Sequence, residues 1–303
     1  MVDFIVNAIK KLEVDKRLHS ISIKERVILT MMKLKQNSSY AMLGCLFGIN
    51  SNLCRSYILA FLPLIASVVR PMIYFPTTEE IKNNMPKCFE KFEDVRIIID
   101  CTEIHIQKPK CLCCSFEKFE DVRIIIDCTE IHIQKPKCLC CRICFYSHYK
   151  GCETVKFMVG CSPGGIITFV SEPYGGRLSD KFIFEESDLI LALERDKDAI
   201  MVDKGFLIDD VCSSFGIKLI RPPFIKNKNQ LSVEEAALNA QIAAARVHIE
   251  RLNQRIKIFQ VLGSKLQWSL VQYINSIFVI ACGITNLSAP ILNDERFLSN
   301  LNL

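Results

Sequence analysis

The chain has 303 residues, half of them hydrophobic and 23% charged, which excludes wholesale disorder and allows one large domain or two smaller ones. A net charge of +5 and a pI near 8.4 permit a nucleic-acid partner without requiring one. The opening MVDFIVNAIKKLEVDK lacks the basic, apolar and small-residue regions of a signal peptide, so an intracellular chain with reduced thiols is expected.

Residues 1–19 read as an N-terminal helix and extension. In Ile23–Gln36 the apolar residues recur at helical spacing, and Ser22 is placed to cap the start. Residues 37–39 break that helix, Tyr40–Phe47 forms a second one closed by Gly48, and Ser51 or Asn52 opens a third that runs to Val69. Short helix, glycine turn, helix is the shape of a helix-turn-helix over residues 20–72, though any three-helix unit has this pattern. Arg55 is the one groove-facing cation of the third helix. The apolar stretches 57–69 and 268–282 read as buried helices rather than membrane spans. Pro71, Pro76 and the pair Thr77-Thr78 mark a linker over residues 73–94.

The chain then repeats itself. Residues 116–141 match residues 89–114 letter for letter, at a period of 27. In each copy a β-branched run, Ile97–Ile99 or its counterpart 124–126, ends on an aspartate, Asp100 or Asp127. Such a run reads as a buried strand, and its terminal carboxylate suits either a turn cap or a metal ligand. Cys138, Cys140, Cys141 and Cys144 include C-x-x-C pairs, a pattern that suits zinc and equally suits ordinary thiols. Copy two is expected to fill the sheet, because the segment 146–150 and the next strand come directly after it. Copy one is then an extruded insertion in a linker that tolerates length.

Residues 154–160 and 166–171 read as strands joined by the turn Ser162-Pro163-Gly164-Gly165. Ser179 caps a helix to about Leu193. A fourth strand, 199–202, ends on Asp203, a short helix spans 206–215, a fifth strand spans 218–221, and a long helix runs from Ser232 to about Leu262. This order predicts an α/β (α+β) domain over residues 95–290, with a ribonuclease-H-like mixed sheet flanked by helices and preceded by the small helical segment.

Two acidic residues therefore end buried strands, and Glu250 lies on the long helix. At 3.6 residues per turn Arg246, Glu250 and Lys257 share one face. Read as a set, Asp127 (or Asp100), Asp203 and Glu250 suit two-metal phosphoryl transfer with Mg²⁺ or Mn²⁺, with the cations holding phosphates; read alone, Glu250 suits an exposed ion pair. Lys150, Arg177, Lys226 and Lys228 lie in loops flanking this set and are candidate DNA phosphate contacts or solvated surface charge.

The stretches IIIDCTEIHIQKP, YSHYKGCETVK, SPGGIITFVSEPYGGRLSDK, VDKGF, RPPF and RVHIER…K resemble the DDE superfamily endonucleases of Harbinger (PIF)-type DNA transposons, over nearly the whole chain. The resemblance implies that Asp127 and Asp203 are the catalytic aspartates and Glu250 the catalytic glutamate, with a divalent metal as cofactor. It also implies a helix-turn-helix over residues 20–70, transposon-end DNA as partner, a nuclear location, and a homo-oligomer or a separate DNA-binding protein. Arg246 and Lys257 match the R-x3-E-x6-K signature of related transposases, but the tyrosine expected three residues before the arginine is Ala243. The alternative reading is a transposase-derived DNA-binding protein without nuclease activity.

Overall fold

The computed structural model describes residues 1–12, 19–89, 91–92, 94–105, 139–223 and 232–288. Helix α1 (Val2–Lys11) is followed by α2 (Ile23–Gln36), α3 (Tyr40–Phe47) and α4 (Ser51–Val69). Their ends are locally encoded. Ser22 and Glu25 form a capping box on α2, while Ser39 and Asn50 accept backbone N–H groups on α3 and α4. Gly48 closes α3 at φ 65, a left-handed conformation that glycine adopts without steric penalty.

The segment Ser51–Met72 is apolar and long enough, by length and composition, to cross a membrane. In this fold its side chains are divided between two cores. Cys54, Tyr57 and Ile58 pack with Leu29 and Leu43 inside the helical segment, whereas Phe61, Leu62, Ile65, Ala66 and Val69 enter the main core with Phe278 and Ile280. Further ties join the helical segment to the rest of the chain. The Asn37 amide donates to Ser264 Oγ at 2.8 Å, and Lys35 lies 5.0 Å from the Phe259 ring centroid. Asn286 donates to the carbonyls of Met72 and Ile167.

After α5 (Thr78–Asn83) comes β1 (Val95–His105), then α6 (Leu139–Phe145), β2 (Tyr146–Ser147), β3 (Cys152–Cys161), β4 (Ile167–Val170), β5 (Tyr174–Gly175) and α7 (Asp180–Glu186). The chain continues with β6 (Ala199–Val202), α8 (Asp209–Ser214), β7 (Lys218–Ile220), α9 (Val233–Lys257), α10 (Gln260–Gly263), α11 (Trp268–Val271) and α12 (Ile274–Asn286). β1 is central, antiparallel to β3 on one side and parallel to β6 on the other, and β7 runs parallel beyond β6. β4 and β5 pair with β3. The path β4–β3–β1–β6–β7, with only β3 reversed against β1, β4, β6 and β7, is the ribonuclease-H-like arrangement.

Both faces of the sheet are covered, which explains why β1 reads as a continuous apolar run. Ile98 faces the core shared with α4, α9 and α12, while Ile97 and Ile99 face Ile183, Phe184 and Cys212 of α7 and α8. Phe157 of β3 stacks on Phe278 of α12 at 4.0 Å. Three elements are shorter than expected from sequence. Asp188, at φ 52, ends the α7 region early and leaves a 3-10 turn at Leu189–Ala192. Helix α8 starts only at Asp209, after the turn that succeeds β6, and the last long helix stops at Lys257 before the separate α10.

The expectation for the repeat is reversed: copy one forms β1, and copy two, with Asp127, lies outside the described residues. The cause is upstream. Residues 77–88 are not slack chain. Thr77 and Glu80 form a capping box, and Ile81 and Met85 are buried in the main core. Arg96 then ties the start of β1 back to the Thr78 hydroxyl and the Pro76 carbonyl and pairs with Asp198 at 3.4 Å. Cys88 Sγ meets His248 Nε2 of α9 at 3.2 Å, and the position matching Cys88 in copy two is Ser115. Seating copy two would insert 27 residues between this anchored segment and the strand. Loop-closure entropy opposes copy one by under about 1 kcal/mol, which such anchoring outweighs.

Candidate active site

The register of β1 against β6 sets the site. Ile99 pairs with Val202 in parallel, so the next residues, Asp100 and Asp203, stand side by side. Neighbouring strands are about 4.8 Å apart, which brings two carboxylates into mutual range. Asp100 is opposite Val159 of β3 and shares the face of Ile98, towards α9.

Helix α9 contributes one contact to each aspartate. Arg246 Nη1 donates to Asp203 Oδ1 at 2.7 Å, with both side chains largely buried. The same oxygen accepts the Lys204 N–H at 2.7 Å. Two turns further along, Asn253 Nδ2 donates to Asp100 Oδ2 at 2.5 Å. Glu250 lies between these two positions on the same helical face and is exposed. Lys257, another turn on, is half-buried.

A second, buried pair joins β3 to α7, near enough for Asp180 to act electrostatically on Asp100. Lys156 Nζ donates to Asp180 Oδ1 at 3.2 Å and to the Leu178 carbonyl at 3.0 Å, and Asp180 is fully buried. Gly175 and Gly176 bring this loop in. A Cβ at Gly175 would strike the Cys144 carbonyl, and one at Gly176 the Thr154 hydroxyl. Burial pushes the Asp100 carboxyl up to about 7; Arg246 pulls it down, while Asp180 and Asp203 push it further up.

Among the described residues no three His, Cys, Asp or Glu side chains converge on one point. The arrangement is a two-carboxylate site whose local countercharge is Arg246. Its donor chemistry fits a divalent cation at Asp100 and Asp203. Both are hard oxygen donors, and their like charge is what a cation would relieve.

Of the other expected site residues, Arg55 is exposed near the start of α4 and Arg177 is exposed between β5 and α7. Lys150 lies in the β2–β3 turn with Nζ 4.5 Å from the Tyr149 ring centroid. Lys226 and Lys228 lie outside the described residues, as do Asp127 and Cys138. Cys144 is half-buried and packed against the core. Asn253, Lys156 and Asp180 were not singled out by sequence reasoning. A polar Asn on the apolar stripe of α9 was the available signal for Asn253, and SDK beside the glycine pair was the signal for Asp180.

A charged groove lies at the opposite ends of β6 and β7, lined by Asp94, Arg96, Glu194, Lys197, Asp198 and Lys218 among others. Its cations are matched by carboxylates, with Lys218 on Asp94 at 2.7 Å and Lys197 on Glu194 at 2.9 Å. It therefore offers no excess of charge beside the two aspartates.

No curated protein matches the chain. Among solved structures, it aligns with the crystal structure of a pre-cleavage Mos1 transpososome at 8% identity and a TM-score of 0.24, over 92% of this chain and 86% of that one. At that score the fold rests on the strand order described above. The model of the helix-turn-helix of DDE superfamily endonuclease matches residues 19–71, which contain α2, α3 and α4. The model of the DDE superfamily endonuclease matches residues 126–286, and so begins in copy two, because only that copy is contiguous with residues 142–286. With just over half of its length matched by that model and both aspartates brought together on a ribonuclease-H-like sheet, the chain belongs to the DDE superfamily endonucleases.

Proposed function

We propose that the chain cleaves DNA, with strand transfer as an associated step, as a divalent-metal-dependent endonuclease of a Harbinger-type transposon. The observation that carries this reading is the side-by-side register of Asp100 and Asp203 in a chain of this family. Asp100 and Asp203 would hold the ion, and Glu250, exposed on the facing helix, is the third carboxylate within one turn of both contact residues. A divalent ion held by these carboxylates would supply Lewis acidity towards the phosphodiester and the attacking water or 3′-hydroxyl. Arg246, once its contact with Asp203 loosens, is the cation available to a phosphate oxygen. Lys150 and Arg177 would contact flanking phosphates, and Arg55 the DNA approached by α4.

The test is nicking of supercoiled plasmid carrying the parent element's ends, with Mg²⁺ or Mn²⁺ and with EDTA. Cleavage is expected only with metal and is expected to vanish in Asp203→Asn. Cleavage that persists in EDTA, or in the variant, refutes the mechanism; DNA binding without cleavage under any condition leaves a binding protein.

A further inference from the structure

Helix α9 buries a stripe of Ile242, Ala245, Ile249, Leu252 and Ile256, and into that stripe it also buries Asn253, 5% exposed. An amide in such a setting costs free energy unless it is bonded. Asn253 Nδ2 donates to Asp100 Oδ2 at 2.5 Å, across 153 residues of chain. The same helix reaches the neighbouring aspartate through a different kind of group, since Arg246 is a cation and Asn253 is neutral.

That difference has a chemical consequence. A cation on Asp100 would compete with a divalent ion for the carboxylate. A neutral donor fixes the carboxylate plane by engaging Oδ2 and leaves the negative charge of the group for the ion. We propose that Asn253 is a positioning residue: it orients Asp100 for metal binding without adding charge. The inference rests on the metal-dependent reading of the Asp100–Asp203 site. Outer-shell partners of metal-ligating carboxylates typically contribute 10–100-fold in metal affinity.

The experiment is calorimetric titration of the full chain with Mn²⁺, for wild type, Asn253→Leu and Asn253→Ala, with unfolding midpoints recorded in EDTA and in Mn²⁺. Leucine keeps the volume and removes the donor, and alanine removes the donor without any possible clash. Both variants are expected to bind Mn²⁺ roughly 10–100-fold more weakly. Both should lose most of the midpoint rise that Mn²⁺ gives wild type, while duplex DNA affinity in EDTA is unchanged. A merely structural role would lower the midpoint equally in EDTA and in Mn²⁺ and leave the Mn²⁺ affinity of the folded protein as in wild type, which overturns the proposal. Wild type that binds no Mn²⁺ overturns the metal-dependent reading and this proposal together; wild type that binds Mn²⁺ alongside variants that bind it equally well overturns this proposal alone.

Discussion

Arg246 of the long helix donates to Asp203 Oδ1 at 2.7 Å, so the second aspartate of the site carries its own countercharge before any ion arrives. The pair links the end of β6 to α9, and Glu250 sits one turn beyond the arginine. Removing one partner of a largely buried charged contact leaves the other desolvated and unpaired. Arg246→Ala is therefore expected to destabilise the metal-free protein by about 1.5–3 kcal/mol. In saturating Mg²⁺ the deficit should shrink, because the ion replaces the lost charge. Denaturant unfolding with and without Mg²⁺ measures both; an equal deficit in the two conditions would show that Arg246 and the ion do not share a role.

The two copies of the repeat give opposite predictions for two identical substitutions. Because copy one occupies β1, Asp100→Asn is expected to abolish nicking and Asp127→Asn to leave most of it. Sequence alone favoured the reverse. Comparable losses from both would mean that the copies exchange in the sheet.

Stability of the metal-free protein should depend on pH through Asp100. Its carboxyl titrates at about 7 in the fold against 3.8 in the unfolded chain, so the native state binds the extra proton between those values. Stability is then greatest below about 4 for this group and falls as pH rises towards 7, by about 1.4 kcal/mol per pH unit. Asp100→Asn should flatten that slope, as read by urea midpoints between pH 4 and 8. An unchanged slope would place the titration elsewhere.

The helix-turn-helix segment and the sheet share one core through α4, so they should unfold together. Leu62 is fully buried beside the α12 residues Phe278 and Ile280. Leu62→Ala is expected to cost about 2–5 kcal/mol. Loss of DNA binding and loss of cleavage should then coincide on heating; two separated transitions would contradict a shared core.

DNA affinity should fall steeply with salt if Lys150 and Arg177 meet phosphates, since each contact releases counterions. The double alanine variant should lower the slope of log affinity against log salt by about 2, measured by fluorescence anisotropy. A slope equal to that of wild type would assign both cations to the solvated surface.

Much of this molecule was legible in its sequence because the signals are local. The limits of α2, α3 and α4 come from Ser22, Ser39, Asn50 and Gly48, whose caps act within a few residues. The strand order comes from short β-branched runs separated by turn residues, and the place of Asp203 just past β6 from where its run stops; β1, expected to end at Asp100, instead continues to His105 and leaves that aspartate in mid-strand. The features that remained hidden depend on partners remote in the chain. The two copies are identical, so nothing within them selects one; the choice came from Met85 and Cys88 upstream, which pack against the main core and His248. Asn253 could not be read as a site residue because its partner, Asp100, lies 153 residues away. The adjacency of Asp100 and Asp203 likewise exists only through the parallel register of Ile99 with Val202, a pairing that forms when two helix-covered faces of one sheet are buried together.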